Sequence, residues 1–324
     1  MSVVYLRSAN GFYGAERVIV TSIKSLVRLG VDVSLLVLED HLTHNTDLYR
    51  NANEQGISVE IIRCHSKLDV RTLVELFKKV RNLNAMALHS HDLKSNAYGL
   101  VVAELLGIRA VATLHGWTSN TTNLRAYEKL DRQLLKRFDQ IVIVSEEMNG
   151  LLKSPVLQGK VTFIPNGVDT EIFNCRRTGF GKAYWGIPSD RYVFGTFARF
   201  TEEKGHLLLL EAFAKVASRL TQTHLLLVGD GSEKENVRRR SAQLELGDRV
   251  TFVAAHDQVD RALHDLDCYV SPSHTEGMPM IILEAMASGL PIIATEVGAI
   301  GSMFEDTAGI TVPANDPDAL ASKM

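Results

Sequence analysis

The stretch from Tyr269 to Thr295, YVSPSHTEGMPMIILEAMASGLPIIAT, leaves few folds open to this chain. An apolar run ends at Ser271. A polar loop rich in turn formers follows, and then a compact apolar helix. Pro279 is expected at the first helical position, where its missing N–H costs nothing. Gly289 suits a left-handed stop, with Pro291 just beyond it. Ile292 to Ala294 then reads as a second strand. This is the strand–helix–strand unit of a parallel sheet.

Such a loop aims several unpaired backbone N–H groups at one spot, which makes a ready anion site. Gly277 lets the backbone approach a ligand closely. Glu276 in the loop and Glu284 on the helix can accept hydroxyl hydrogen bonds. A ligand that is both phosphate and polyol, such as a nucleotide sugar, would suit that combination. An ordinary strand–helix unit with two solvated glutamates fits the pattern equally well.

The segment EGMPMIILE, followed by AMASGLP, resembles the donor-site signature of the retaining glycosyltransferases of family 4, whose fold is called GT-B. The resemblance implies that Glu276 binds hydroxyls of the donor sugar and Glu284 those of the ribose. It also implies that the backbone of Gly277, Met278, Pro279 and Met280 lines the diphosphate.

The same alternation begins at the N-terminus. Val3 to Leu6 is an expected strand, residues 8–14 a glycine-containing loop, and the helix from Ala15 carries Ile19, Ile23 and Leu26 on one face. Further strands are expected at Val31–Leu38, Val59–Ile62, Ala85–His89, Ala110–Leu114, Ile141–Val144 and Val161–Ile164. Helices are expected between several of them, as in a doubly wound sheet. GAERV is similar to the first loop of family 4 enzymes, which implies a ligand-facing role for Gly14 and, more weakly, Glu16. His89, His91 and His115 fall at strand ends, where ligands of open parallel sheets sit. A histidine there is more often structural. HSHD also lacks the helical spacing of a metal pair. TLHG resembles the family loop whose histidine lies near donor sugar and acceptor, so His115 is the expected site histidine, with His91 second.

PNGVD, residues 165–169, matches the family's exit from its first domain. The alternation then restarts, with strands expected at Tyr192–Ala198, Leu225–Val228 and Val250–Val253. Arg199 and Lys204 follow the first of these. Together they would neutralise a diphosphate and stabilise its charge as it leaves. Read without context, they are surface cations paired with Glu202 and Glu203. ARFTEEKG resembles the family's Arg…Lys-Gly motif, which implies the phosphate role. VGDGSE resembles its glycine turn before the base-binding region around Phe252 to His256.

Bulk composition narrows the remaining classes. The chain has 324 residues, enough for two domains. A net charge of −3 argues against a general nucleic-acid binder. The three cysteines form no CxxC pair and read as reduced apolar fillers. No window reaches the roughly 20 apolar residues of a membrane span, and the expected location is cytoplasmic. Arg125, Lys129, Arg132, Lys136 and Arg137 form either a solvated face or a peripheral contact with anionic lipid at the inner face of the membrane. Family members usually continue with further C-terminal helices beyond the equivalent of Met324. The sequence does not include them.

The expected architecture is therefore α/β, GT-B: two Rossmann-like doubly wound parallel-sheet domains facing across a cleft. The domains are expected at 1–175 and 191–324, joined by a linker at 176–190. The resemblance implies a metal-independent, retaining hexosyltransferase without cofactor. It would use a UDP-, GDP- or ADP-linked sugar and a glycan or lipid-linked acceptor, as in surface glycan, lipopolysaccharide or exopolysaccharide synthesis. Expected catalytic residues are His115, Arg199, Lys204 and Glu276. Gly14, Arg199, Lys204, Glu276, Gly277, Met278, Pro279, Met280 and Glu284 are the expected donor-binding residues. Two other readings stay open: a nucleotide-sugar 2-epimerase or hydrolase on the same fold, and a catalytically impaired carbohydrate- or nucleotide-sugar-binding protein.

Overall fold

A computed structural model describes all residues except 1, 9, 10, 41–45, 67, 68, 116–121, 153, 158, 177, 257 and 305–308. The chain divides into two compact units, Met1–Gly167 and Val168–Met324.

The first unit carries strands β1 (Ser2–Ser8), β2 (Asp32–Asp40), β3 (Ser58–Cys64), β4 (Ala87–Ser90), β5 (Arg109–Leu114), β6 (Gln140–Ile143) and β7 (Val161–Phe163). Its helices are α1 (Gly14–Arg28), α2 (Asp47–Glu54), α3 (Val70–Asn82), α4 (Leu93–Leu106) and α5 (Thr122–Leu135). The strands form one parallel sheet in the order β3-β2-β1-β4-β5-β6-β7. Chain order reverses between β1 and β4. The crevice at the carboxyl ends of those two strands is where open α/β sheets take ligands.

The second unit repeats the plan. Its strands are β8 (Tyr192–Phe197), β9 (Thr223–Val228), β10 (Val250–Val253), β11 (Cys268–Ser271), β12 (Ile292–Thr295) and β13 (Gly309–Val312). Its helices are α6 (His206–Ala217), α7 (Lys234–Gln243), α8 (Val259–Ala262), α9 (Met280–Ala287), α10 (Ile300–Met303) and α11 (Pro317–Lys323). The parallel order β10-β9-β8-β11-β12-β13 puts the reversal between β8 and β11.

Continuous apolar runs make the central strands, such as THLLLV of β9, because both of their faces are covered. In the second unit one face packs Phe200, Phe213, Leu225, Leu227, Val270 and Leu320. The other packs Trp185, Val193, Leu226, Tyr269, Ile282 and Ala294. Each such side chain contributes roughly 1.5–3 kcal/mol on burial. In the first unit Ile19, Val20 and Ile23 of α1 pack with Tyr5, Leu35 and Val37 of the sheet.

The division falls inside PNGVD, and residues 168–175 group with the second unit rather than the first. Packing explains the difference from the expected boundary at 175: Phe173 lies against the Trp185-containing core. The expected linker is also built into that unit, since Asp265 accepts hydrogen bonds from Phe180 N and Gly181 N at 3.0 and 2.7 Å. Trp185 Nε1 donates to the same carboxylate at 2.7 Å. The polar helix α2 and the four-residue strand β13 had not been anticipated. The basic set expected on one helix is divided, because α5 ends at Leu135 and Arg137 pairs with Glu104 at 2.5 Å. The side chain of Arg125 lies outside the described residues. Among the described residues no helix is long and apolar enough to cross a membrane.

Candidate functional site

In the second unit the reversal point is built by two loops, one after β8 and one after β11. Lys204 closes a short 3-10 turn, Glu202–Lys204, and its Nζ donates to Glu276 Oε1 at 2.7 Å. Both side chains are mostly buried, at 20% and 10% exposure. Ser273 Oγ donates to the same oxygen at 2.7 Å. His274 N also donates to Glu203 O at 2.8 Å, so the two loops are joined through main chain as well.

Two glycines permit that closeness. Gly205 has φ +67, and a Cβ there would stand 2.0 Å from Pro272 O. Gly298 has φ +55, and a Cβ there would stand 2.2 Å from Glu276 O. Either contact excludes any side chain, and both backbones also sit in the left-handed region.

Arg199 is about half exposed and lies 3.5 Å from Glu203. Burial works to raise the Glu203 carboxyl, but its own backbone N–H and the cations Arg199 and Lys204 outweigh that and hold it below its ordinary value. Pro279 precedes α9 as its N-cap, with ψ 120, instead of opening the helix as expected. Its extended backbone leaves the first helical N–H groups, beginning with Met280, at the helix mouth. Gly277 and Met278 are half-buried in the approach loop. Glu284 is 1% exposed inside α9. Tyr269 is fully buried, and burial first, then Glu276 and Glu284, push its phenol far above its ordinary range. Of the two carboxylates only Glu284 is helical, and Glu276 stays in the loop.

In the first unit the reversal point is organised by Arg7, which sequence reasoning overlooked. Its Nε and Nη2 bond Glu16 Oε1 at 2.9 and 2.8 Å. Its Nη1 donates to His91 O at 2.5 Å and lies 3.6 Å from Asp92. Burial opposes the charge on Arg7, but Asp92 and Glu16 outweigh it and raise its affinity for the proton. Glu16 is 3% exposed, and its Oε2 also accepts from Tyr13 N at 2.9 Å. It thus holds the entrance of α1, rather than taking the ligand-facing role expected for it. Gly14, at the first turn of α1, is exposed. Asp92 is the N-cap of α4, accepting from Ser95 N at 3.0 Å and Ser8 N at 2.8 Å. The DxxS pattern was a readable signal for that cap.

His89, His91 and His115 form one stack. Ring centroids lie 4.4 Å apart for His89–His91 and 5.4 Å for His91–His115. His91 Nδ1 and His115 Nε2 are 3.1 Å apart. His89 Nε2 meets Thr113 Oγ1 at 2.7 Å. Burial lowers His89 to about 4 and His115 to about 3, and Arg7 adds to the lowering at His115. Burial likewise carries His91 well below its ordinary value. All three rings are neutral at physiological pH. His115 directly follows β5, whereas Gly116 of TLHG lies outside the described residues. Among the described residues no group of three His, Cys, Asp or Glu side chains is placed to hold a metal ion.

Two successive doubly wound parallel sheets, each with polar side chains at its reversal point, define the GT-B class of glycosyltransferase folds. The structure of Anabaena Alr3699/HepE in complex with UDP and glucose superposes with a TM-score of 0.85 at 18% identity, covering 100% of this chain and 88% of that one. Residues 12–172 match the model for Glycosyltransferase Family 4, and residues 181–324 match that for Glycosyl transferases group 1. The chain belongs to this family of GT-B glycosyltransferases.

EpsF of Bacillus subtilis, named as a putative glycosyltransferase, is 30% identical over 65% of this chain and 57% of its own length. The UDP-Gal:alpha-D-GlcNAc-diphosphoundecaprenol alpha-1,3-galactosyltransferase of Escherichia coli is 24% identical over 79% of this chain and 70% of its own length. The lipopolysaccharide core biosynthesis mannosyltransferase of Rhizobium meliloti is 26% identical over 77% and 71%. The chain therefore spans between 57% and 71% of the length of these relatives.

Proposed function

We propose that the protein transfers a hexose from a nucleotide sugar to a hydroxyl acceptor, with retention at the anomeric carbon and without a metal ion. The observation that carries this reading is the pairing of Lys204 Nζ with Glu276 Oε1 at 2.7 Å, at the reversal point of the second sheet. It brings a cation for phosphate and a carboxylate for sugar hydroxyls to one place. Arg199 and Lys204, with the backbone N–H groups of Gly277, Met278 and Met280, hold the diphosphate and stabilise the charge it gains on leaving. Glu276 accepts hydrogen bonds from the donor sugar, and the buried Glu284 from the ribose. In the first unit, taken by itself, Gly14 faces ligand and His115 is a neutral ring that polarises a hydroxyl.

Side-chain cations and a helix mouth supply the positive charge, so the chemistry asks for no metal. The departing phosphate takes the acceptor's proton as the acceptor oxygen bonds the anomeric carbon from the same face. No protein nucleophile is required. A uridine donor is supported by the UDP and glucose bound to the structural neighbour and by the UDP-galactose in the name of the Escherichia coli relative. A glycan or lipid-linked acceptor in surface polysaccharide synthesis is supported by the names of the curated relatives.

A thermal-shift series with UDP-, GDP- and ADP-sugars, each with and without EDTA, tests donor and metal together. One nucleotide is expected to raise the melting temperature regardless of chelator. Proton NMR of the glycosylated product is expected to show the donor's anomeric configuration. An inverted product, or a shift abolished by EDTA, would overturn the corresponding part.

A further inference from the structure

His91 is built into the first unit far more firmly than a solvent-facing histidine would need. It is 4% exposed. Its ring stacks on His89 and on Tyr5, with centroids 4.4 and 5.0 Å away. Its main chain is pinned at both ends: its N–H donates to Ser95 Oγ at 3.0 Å and its carbonyl accepts from Arg7 at 2.5 Å. Its Nδ1 lies 3.1 Å from His115 Nε2, whereas its own Nε2 is buried with no hydrogen-bond partner.

Two neutral imidazoles joined nitrogen to nitrogen have one proton between them, and there are two ways to place it. If His115 Nε2–H were the donor, His91 would carry its proton on Nε2, leaving an orphaned N–H in the interior. If His91 Nδ1–H is the donor, only a lone pair is orphaned there. Buried N–H groups without a partner are the rarer defect. Arg7, the charged group held against this stack, disfavours a second positive charge on either ring and so removes the doubly protonated alternative.

We propose that His91 is a positioning residue: its Nδ1–H donates to His115 Nε2 and locks His115 in the tautomer that carries its proton on Nδ1. His115 then offers substrate a neutral N–H donor, and its Nε2 lone pair, being engaged, is withheld from proton abstraction. The inference rests on the reading of His115 as a substrate-facing residue. It adds what sets the state of that ring.

The test is a long-range 1H–15N spectrum of protein labelled at histidine, with the His115 signals assigned by comparison with His115→Gln. The full chain at pH 7 is expected to show His115 protonated on Nδ1 and bare on Nε2. In His91→Phe, which keeps the stack but removes the donor, the Nε2–H form of His115 should gain, and kcat should fall roughly tenfold or more with KM little changed. His91→Asn, which keeps an N–H near the Nδ1 position, should hold the tautomer and recover most of kcat. A wild-type His115 protonated on Nε2, or a tautomer unmoved in His91→Phe, overturns the proposal. Full activity in His115→Ala would instead remove the substrate-facing role while leaving the tautomer result to stand, so the two failures are told apart.

Discussion

The two sheets share a strand order, and each places an arginine near the carboxyl end of its central strand, yet the two arginines are used in opposite ways. Arg7 is mostly enclosed by Glu16, Asp92 and the His91 carbonyl. Its charge is consumed by the fold, and the rings around it are kept neutral. Arg199 is half exposed, and Lys204 beside it shares Glu276 with Ser273. One fold plan therefore yields a cluster of neutral rings around a consumed charge in one unit and a pair of partly exposed cations in the other. The proposed function assigns the first to hydroxyls and the second to phosphate.

The sharpest way to break the comparison is Arg7→Met. It leaves Glu16 charged and buried without its cation, which should cost about 3–5 kcal/mol of stability and lower the melting temperature while leaving donor affinity of the folded protein unchanged. A folded variant that loses donor binding would mean that Arg7 faces ligand after all. Next, Arg199→Ala and Lys204→Ala should each cut turnover roughly 100-fold and weaken donor binding; near-wild-type kinetics in either would remove that residue from the site.

Glu276→Gln sharpens the contrast further. It removes the carboxylate charge that Lys204 shares, so UDP should bind as well or up to roughly tenfold more tightly, while turnover falls because a sugar contact is lost. Isothermal titration beside steady-state kinetics separates the two. Equal loss of both would contradict the sugar-facing role.

Acid should act on both units. His89, His206 and His224 are each lowered to about 4, His115 to about 3, and His91 well below its ordinary value, in every case by burial first. Each folded pKa lies below its unfolded value, so the unfolded chain binds more protons as pH falls below about 6.5. Stability should be full above that pH and decline between about 6.5 and 3, which calorimetry at several pH values will show. The smallest effect is expected from His206→Leu. His206 is 2% exposed and stacked on Phe200, and neither ring nitrogen has a partner. An apolar side chain there should leave the melting temperature at pH 7 within a few degrees of wild type and raise it at pH 5.

The sequence made most strands legible because buried parallel strands are continuous apolar runs. Strand β13, GITV, escaped because it is four residues long with Ile310 exposed at the sheet edge. Helix α2 escaped because only Leu48 and Ala52 of its eight residues are buried. Pairs close in sequence, such as Arg199 with Lys204, could be read from motif spacing. Arg7 with Asp92 could not: its partner is supplied 85 positions later, at the helix cap just past a neighbouring strand, and only the β1–β4 pairing brings the two together. The same holds for Lys204 with Glu276, whose roles were expected but whose mutual hydrogen bond was not.

Gly205 and Gly298 grip the same loop from two directions, one against Pro272 and the other against Glu276. The loop is consequently not a modular part. A graft of residues 272–277 into a related scaffold carries its chemistry only if both distant glycines travel with it, and a recombination library cut between positions 205 and 272, or between 277 and 298, should be enriched in dead chimaeras. Three separated segments of the chain thus have to be exchanged together.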